Sequence, residues 1–327
     1  MTVVLVTGGA GYIGSHACKA LTKAGCQPVA FDNMSLGHDW AVKWGPLERG
    51  DIRDKERVLE VMEAHRPDAV MHFAGQAYVR ESVTDPASYF SNNVVGSHCL
   101  LEAMRERGIG KIIFSSSCST YGAVNAGPVT EQTPQAPISP YGASKLMVER
   151  MLDDYDTAYG LLSASLRYFN ACGADPETEI GEDHDPEPHL IPRALMAAAG
   201  QLESLDVLGT DYPTPDGTCI RDYVHVSDLA DAHVKALSYL QDGGETTALN
   251  LGSGQGFSVR QVVDAVERVT GKNVATRNLE RQPGDVAQLF ADGSLAQRVL
   301  GFDPVITDLD EIVATAWAWY QKHGLGQ

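Results

Sequence analysis

Tyr141 and Lys145 stand four residues apart in the segment Ser139-Pro140-Tyr141-Gly142-Ala143-Ser144-Lys145. On a helix that spacing puts the phenol and the ammonium on one face, pointing into the same space. A tyrosine with an ordinary pKa near ~10 is a poor base at neutral pH. A cation a few ångströms away favours the phenolate and makes the side chain usable for proton transfer. Taken alone the pair is weak, because half-buried helices often carry a tyrosine and a snorkelling lysine. Here it follows the glycine-rich start Gly8-Gly9-Ala10-Gly11-Tyr12-Ile13-Gly14 and the serine run Ser115-Ser116-Ser117. The combination points to an enzyme that moves a hydride.

The glycines have a physical reading. Gly8 allows a tight turn out of a first strand, Gly11 lets the backbone approach a pyrophosphate, and Gly14 allows close helix packing. The phosphates would then sit at the helix N-terminus. The spacing is Gly-x-x-Gly-x-x-Gly rather than the commoner Gly-x-Gly-x-x-Gly. Asp32 closes the second predicted strand, where a carboxylate accepts hydrogen bonds from both adenosine ribose hydroxyls and repels a 2′-phosphate. NAD is therefore expected rather than NADP. Phe73-Ala74-Gly75 and Phe114-Ser115-Ser116-Ser117 end two further strands on the same sheet edge, where small residues let ligands lie against the backbone. Most of these serines are expected to satisfy turn backbone. Ser117 is the exception, placed to hydrogen-bond the hydroxyl that Tyr141 deprotonates.

These residues need elements to hold them. Short β-branched runs alternate with helical patterns, which predicts βαβ units around a parallel sheet. Strands are predicted over 3–6, 29–31, 69–73, 111–114 and 162–169, with helices over 12–24, 54–65, about 89–107 and at Tyr141. The fold class is α/β, a doubly wound parallel sheet of Rossmann type followed by a second, smaller mixed α/β domain. Residues 1–170 form the first domain. Residues 171–327 are mainly the second, starting with a proline- and carboxylate-rich loop region. Later helices are expected near Ile191, Ser227 and Ser258, the last with a capping box completed by Gln261. A final helix spans 308–323, and its Trp317, Trp319 and Tyr320 are expected to pack rather than react.

A chain of 327 residues can bury a substantial core. Its net charge of −18 argues against nucleic acid or an anionic membrane as main partner. No apolar run approaches ~18 residues, so no membrane span is expected. The start has no secretory pattern, and the six cysteines are scattered without a Cys-x-x-Cys pair. Reduced thiols and a cytoplasmic location are expected. Glu182-Asp183-His184-Asp185 with Glu187 and His189 suggests a metal, but the interspersed prolines prevent a helical His-x-x-x-His arrangement. A polar loop without metal is the expectation.

Further segments carry a family resemblance: Gly50-Asp51-Ile52, His72-Phe73-Ala74-Gly75, Ser91-Asn92-Asn93-Val94 and Arg167-Tyr168-Phe169-Asn170. More specific are Asp211-Tyr212-Pro213-Thr214-Pro215-Asp216-Gly217-Thr218 and Arg221-Asp222-Tyr223-Val224-His225-Val226. With the glycine and tyrosine motifs, these cover nearly the full chain. The chain resembles the extended short-chain dehydrogenase/reductases and, within them, the UDP-hexose 4-epimerases. The resemblance implies interconversion of UDP-glucose and UDP-galactose through C4 oxidation by NAD⁺, rotation of the 4-keto sugar, and reduction on its other face.

The same resemblance implies the roles. Tyr141 exchanges the C4 hydroxyl proton, Ser117 positions that hydroxyl, and Lys145 lowers the tyrosine pKa and holds the nicotinamide ribose. Gly8, Gly11, Tyr12, Ile13, Gly14, Asp32, Asn33, Asp51, Ile52, Phe73, Ala74, Gly75, Asn92 and Phe169 line the cofactor. Asn170, His189, Leu190, Arg221, Arg281 and Asp285 hold UDP, the arginines through their planar forks. Leu289 falls at a gate for N-acetylated sugars. A segment near 212–250 returns to the first domain, and a homodimer forms through the helices carrying Tyr89 and Tyr141. Ala77 stands where the family often has a cofactor-contacting lysine, with Arg80 as a substitute. A 4,6-dehydratase would need an Asp-Glu pair where this chain has Cys118 and Ser119. A 4-epimerase for a pentose, uronate or N-acetylhexosamine, or a sugar-nucleotide decarboxylase, remains an alternative. A non-catalytic NAD sensor is disfavoured, because such proteins usually lose the tyrosine or lysine.

Overall fold

A computed structural model describes residues 1–124, 127–281 and 285–324. Five apolar runs become strands buried on both faces, as a covered parallel sheet requires, and a short, partly exposed Leu-Glu-Arg strand joins them at one edge. They are β1 (Val3–Thr7), β2 (Gln27–Asp32), β3 (Leu47–Arg49), β4 (Ala69–His72), β5 (Lys111–Ser115) and β6 (Leu162–Tyr168). With the strand Thr247–Leu251 they form one seven-stranded sheet. Across it the order is Thr247–Leu251, β6, β5, β4, β1, β2, β3, every neighbouring pair parallel. The order reverses between β1 and β4, which puts a ligand crevice at their carboxyl ends.

Helices cover both faces. Helix α1 (Tyr12–Lys23) and the helix Val226–Gln241 bury Ala17, Leu21, Leu229, Ala236 and Leu240 against Val4, Val6 and Met71. On the other face, α2 (Lys55–His65), Gly96–Arg107 and Pro140–Tyr159 bury Val58, Met62, Leu100, Met104, Val148 and Leu152 against Leu5, Val29 and Val70. A separate, smaller core joins the helices Leu190–Ala198, Val259–Thr270 and Leu309–His323 through Leu195, Val262, Val266 and Ile312. Its strands are short: Leu205–Leu208 runs parallel to Thr276–Leu279, and Ile220–Arg221 lies between Phe257–Ser258 and Gln288–Leu289. Asn170–Cys172 pairs with Tyr223–His225.

The capping box forms as expected, with Ser258 and Gln261 each bonding the other's backbone. Trp319 and Tyr320 are buried, in keeping with a packing role. The helix expected over 89–107 is interrupted: Pro86–Tyr89 leads into wider π-type turns over Phe90–Val95 before Gly96–Arg107 begins. Asn93 accompanies the change, its side chain bonding Gln76 and Ser144 outside the helix. Such widening recurs at functional sites. Strand β3 was absent from the sequence pattern because Leu-Glu-Arg shows no apolar run; its pairing with β2 defines it. Among the described residues, no helix is long and apolar enough to cross a membrane.

Candidate active site

The turn after β1 brings backbone against backbone. A Cβ on Gly8 (φ +75°) would meet the Ala74 nitrogen at 2.6 Å, and one on Gly14 would meet the Gly8 oxygen at 2.1 Å. Only glycine tolerates these approaches, so α1 starts tight against the β1–β4 switch point. At Gly11, by contrast, the nearest atom to an added Cβ is 3.4 Å away. Gly11 is the N-cap of α1 and offers no side-chain cap, so no side chain there competes for the first amides. Uncapped amides with the positive end of the helix dipole fit a pyrophosphate.

Asp32, 8% exposed, accepts from Ala10 N–H at 3.1 Å and Met34 N–H at 2.8 Å, tying the glycine turn to β2. Burial raises its pKa, and the two amides oppose that. Each carboxylate oxygen keeps a lone pair, which suits a ribose diol. Asn33 donates to Asp51 at 3.3 Å, and Asp51 holds Arg53 through two bonds of 2.8 and 2.6 Å. Arg53 keeps the Asp51 carboxyl down at about 2. Ile52 is buried against Gly96. These residues line one crevice edge, and the set fits NAD.

At the crevice's other end, Ser139 caps the helix Pro140–Tyr159 by accepting from Gly142 N–H at 3.1 Å. The cap fixes where Tyr141 and Lys145 project, one turn apart. Tyr141 is 8% exposed and Ser117 6% exposed, and the Ser117 hydroxyl is close enough to favour the phenolate. Burial pushes the phenol up to about 12, against that influence. Lys145 donates to the Ser115 carbonyl at 2.7 Å and lies 5.8 Å from the Tyr141 ring centre. Burial brings this ammonium down to about 8, with the Glu149 carboxylate pulling the other way. With these side chains alone, desolvation is the largest influence on the phenol. Gly75 faces the lysine, since an added Cβ would come 3.6 Å from its nitrogen.

Asn92 donates to Asn93 at 3.0 Å, and Asn93 accepts from the amide of Gln76 at 2.8 Å. Ala77 and Arg80 are exposed. Phe73 packs on the His233 ring at 4.6 Å. Phe169 joins Tyr121, Val129 and Ala291 in a small apolar cluster that also takes in Cys118 and Leu289. Leu289 therefore shares a cluster with Phe169 and Cys118.

Arg221 donates to the carbonyls of Ile220 and Val286 at 2.9 Å each and pairs with Asp285 at 3.6 Å. Arg281 binds Asp211 at 2.6 Å and lies over the Tyr212 ring at 4.2 Å. Burial raises the Tyr212 phenol, with Asp285 adding to the rise and Arg221 and Arg281 opposing it. Asn170 donates to the Asp222 carbonyl at 2.8 Å. His189 caps the helix Leu190–Ala198 and bonds Glu182, and Leu190 packs into the smaller core.

Sequence reasoning missed three features. Tyr212 was quoted only as part of a motif, yet its buried hydroxyl has no hydrogen-bond partner. Glu149 accepts from Ser116 at 2.5 Å and from Arg167 at 2.9 and 2.6 Å, a buried pair supporting the Tyr141 helix from below. Glu149 falls at i+4 from Lys145, a spacing that could have flagged it. His72 bridges Thr7 and Ser97 at 2.7 and 2.8 Å, and no local pattern signals that.

Comparison with known proteins agrees with this geometry. The model of the NAD dependent epimerase/dehydratase family matches residues 4–252. The chain is 51% identical over 323 residues to the UDP-glucose 4-epimerase of Rhizobium meliloti (strain 1021), covering 99% of this chain and 98% of that one. It is similar to the crystal structure of UDP-glucose 4-epimerase from Brucella ovis in complex with NAD, with TM-score 0.95, 53% identity and coverage of 97% and 98%. A UDP-glucose 4-epimerase from Bifidobacterium longum, in complex with NAD+ and UDP, superposes with TM-score 0.93 at 37% identity over 98% and 99% of the two chains. The chain belongs to the NAD-dependent epimerase/dehydratase family.

Proposed function

We propose that this chain interconverts UDP-glucose and UDP-galactose by NAD-dependent oxidation and re-reduction at C4. The observation that carries the reading is the buried set of Tyr141, Lys145 and Ser117, with Lys145 held by the Ser115 carbonyl, on the sheet edge that also holds the uncapped start of α1. Its full-length similarity to UDP-glucose 4-epimerases agrees with it. Bound NAD⁺ supplies the hydride acceptor and a positive charge next to the phenol.

Tyr141 Oη takes the C4 hydroxyl proton and, after the keto sugar has turned to present its other face for reduction, returns it to the same oxygen. Ser117 holds that hydroxyl in line. Lys145, fixed by the Ser115 carbonyl, holds the nicotinamide ribose and favours the phenolate once the site is complete. Gly8, Gly11, Tyr12, Ile13 and Gly14 take the pyrophosphate side, Asp32 and Asn33 the adenosine ribose, and Asp51 and Ile52 the adenine. Phe73, Ala74, Gly75, Asn92 and Phe169 flank the rest. Arg221, Arg281, Asp285 and Asn170 hold UDP, His189 and Leu190 border its phosphates, and Leu289 limits the sugar pocket.

By this reading residues 1–170 bind NAD and 171–327 mainly bind the UDP-sugar, with about 212–250 returning to the first part. The strand Thr247–Leu251 beside β6 supports that return. A homodimer is part of the same proposal. Val83, Val95, Met147 and Tyr159 are exposed apolar side chains on or beside the helices expected to pair. Six unpaired cysteines fit a cytoplasmic location.

The test is incubation of purified protein with UDP-galactose, without added NAD, following UDP-glucose by chromatography beside Tyr141→Phe. Formation of UDP-glucose that is nearly abolished in the variant supports the reading. No conversion even with NAD added overturns it and moves the assay to UDP-pentoses, UDP-uronates and N-acetylated sugars.

A further inference from the structure

The segment after Cys172 folds back so that Glu182, His184, Glu187 and His189 converge, their ligand atoms all within 4.8 Å of one another. The prolines that forbid a helical histidine pair do not prevent this, because a loop turning onto the start of the helix Leu190–Ala198 brings the residues together. His184 Nδ1 lies 3.3 Å from Glu182 Oε1 and 3.5 Å from Glu187 Oε2. His189 Nδ1 lies 3.4 Å from Glu187 Oε1 and bonds Glu182 Oε1 directly.

Two of these atoms lack what burial demands. Glu187 Oε2 and His184 Nδ1 are buried without a hydrogen-bond partner, and the Glu187 side chain is only 2% exposed. They stand 3.5 Å apart as an ion pair, and a carboxylate oxygen removed from water without a hydrogen bond is expensive. Both orphan atoms point into the same gap between the four side chains. Zinc bonds to imidazole nitrogen and carboxylate oxygen run about 2.0–2.2 Å, so a tetrahedral shell separates its ligands by ~3.4 Å. His184 Nδ1 already stands at that spacing from one oxygen of Glu182 and one of Glu187.

We propose that His184 Nδ1, His189 Nδ1, Glu182 and Glu187 form a closed tetrahedral site for a divalent transition-metal ion of the zinc class. Two imidazoles and two carboxylates suit that ion better than calcium or magnesium, which prefer all-oxygen shells. The ion satisfies both orphan atoms and replaces the His189–Glu182 hydrogen bond. Four protein ligands leave no open position, so its role is structural. The surroundings support it: Trp319 Nε1 donates to the Glu182 carbonyl at 3.1 Å, and His189 N–H donates to Glu187 Oε1 at 2.8 Å. The rings of Tyr12 and Tyr78 pack edge-on against His184 at 6.3 and 6.0 Å, so the site braces the loop beside the first turn of α1.

The test is metal uptake by the full-length protein. After chelator treatment and dialysis against Zn²⁺, elemental analysis should give about one ion per chain, with a raised melting temperature. Co²⁺ in its place should show the intense visible bands of tetrahedral coordination and be displaced by Zn²⁺. Glu187→Gln with His184→Gln should weaken binding at least tenfold, while Glu177→Gln, outside the site, should not. His189→Ala, at a half-exposed side chain, serves if the double variant fails to fold. Absence of stoichiometric uptake, a weak octahedral Co²⁺ spectrum, or uptake unchanged in these variants would overturn the proposal.

Discussion

Tyr141, Lys145 and Ser117 are 8%, 5% and 6% exposed, each fixed by a strand end or a capped helix. The Arg281 side chain is 40% exposed and leans on Asp211, and Arg221 is tied to the carbonyls of Ile220 and Val286 and to the half-open Asp285. One region is desolvated and held in place before any ligand arrives. The other keeps its cations near water, each on an acidic neighbour that a diphosphate would have to displace. The difference follows from the chemistry each must do. Proton transfer needs groups held within a fraction of an ångström, whereas a mobile, charged nucleotide is captured by forks that can exchange one anion for another.

The sharpest way to break the comparison is Tyr141→Phe. It removes one oxygen from the rigid region, so conversion should fall by about 10³–10⁴ with little change in UDP affinity. Turnover by single-point chromatography and UDP binding by calorimetry separate the two. A variant that lost affinity and turnover together would show that the two regions are not independent.

Glu149→Ala attacks the support instead of the chemistry. Glu149 and Arg167 are buried together, and removing one partner leaves an uncompensated charge, which costs about 3–5 kcal/mol. Urea unfolding should show that loss, with turnover reduced in whatever fraction stays folded. Arg221→Ala and Arg281→Ala address the open region. Each removes charge-assisted bonds of about 1.5–3 kcal/mol, so KM should rise roughly 10- to 100-fold while kcat changes little. Raising salt should mimic the Arg281 variant more than the Arg221 variant, because the former pair is more exposed.

The two regions also differed in legibility. The parallel sheet, the glycine turn, Asp32 and the Tyr141 helix were readable because each leaves a local mark: a β-branched run, a spacing, a cap. The arginines leave none. Arg221 and Arg281 look like surface charges until a strand pairing and the Tyr212 ring place them about one residue, and only the family resemblance selected them. Glu149, Tyr212 and His72 were not singled out at all, since their meaning lies in partners up to 65 positions away, as with Thr7 and His72. The protonation balance at Tyr141 is hard to read from sequence for a related reason. Helical spacing gives direction, but the balance of desolvation against charge depends on the surrounding packing.

Buried histidines give the finest test of the contrast. His72 is held neutral between Thr7 and Ser97, its pKa lowered to about 3 by burial and by the Lys145 charge. In the unfolded chain the ring titrates near ~6.5. The folded value is depressed, so between those two pH values the unfolded state binds the extra proton. The contribution of His72 to stability is then complete above about pH 6.5 and is lost as pH falls toward 3, amounting to about 2 kcal/mol already by pH 5. His16, His225 and His233 are lowered to about 4, chiefly by burial, and act in the same direction. His72→Gln keeps a donor and an acceptor for Thr7 and Ser97 but cannot titrate. Its loss of stability between pH 7 and pH 5 should therefore be about 2 kcal/mol smaller than that of the unsubstituted chain. Equal losses in the two proteins would mean that acid reaches the buried end of the sheet by another route, and that its desolvated groups are less sealed than their exposure indicates.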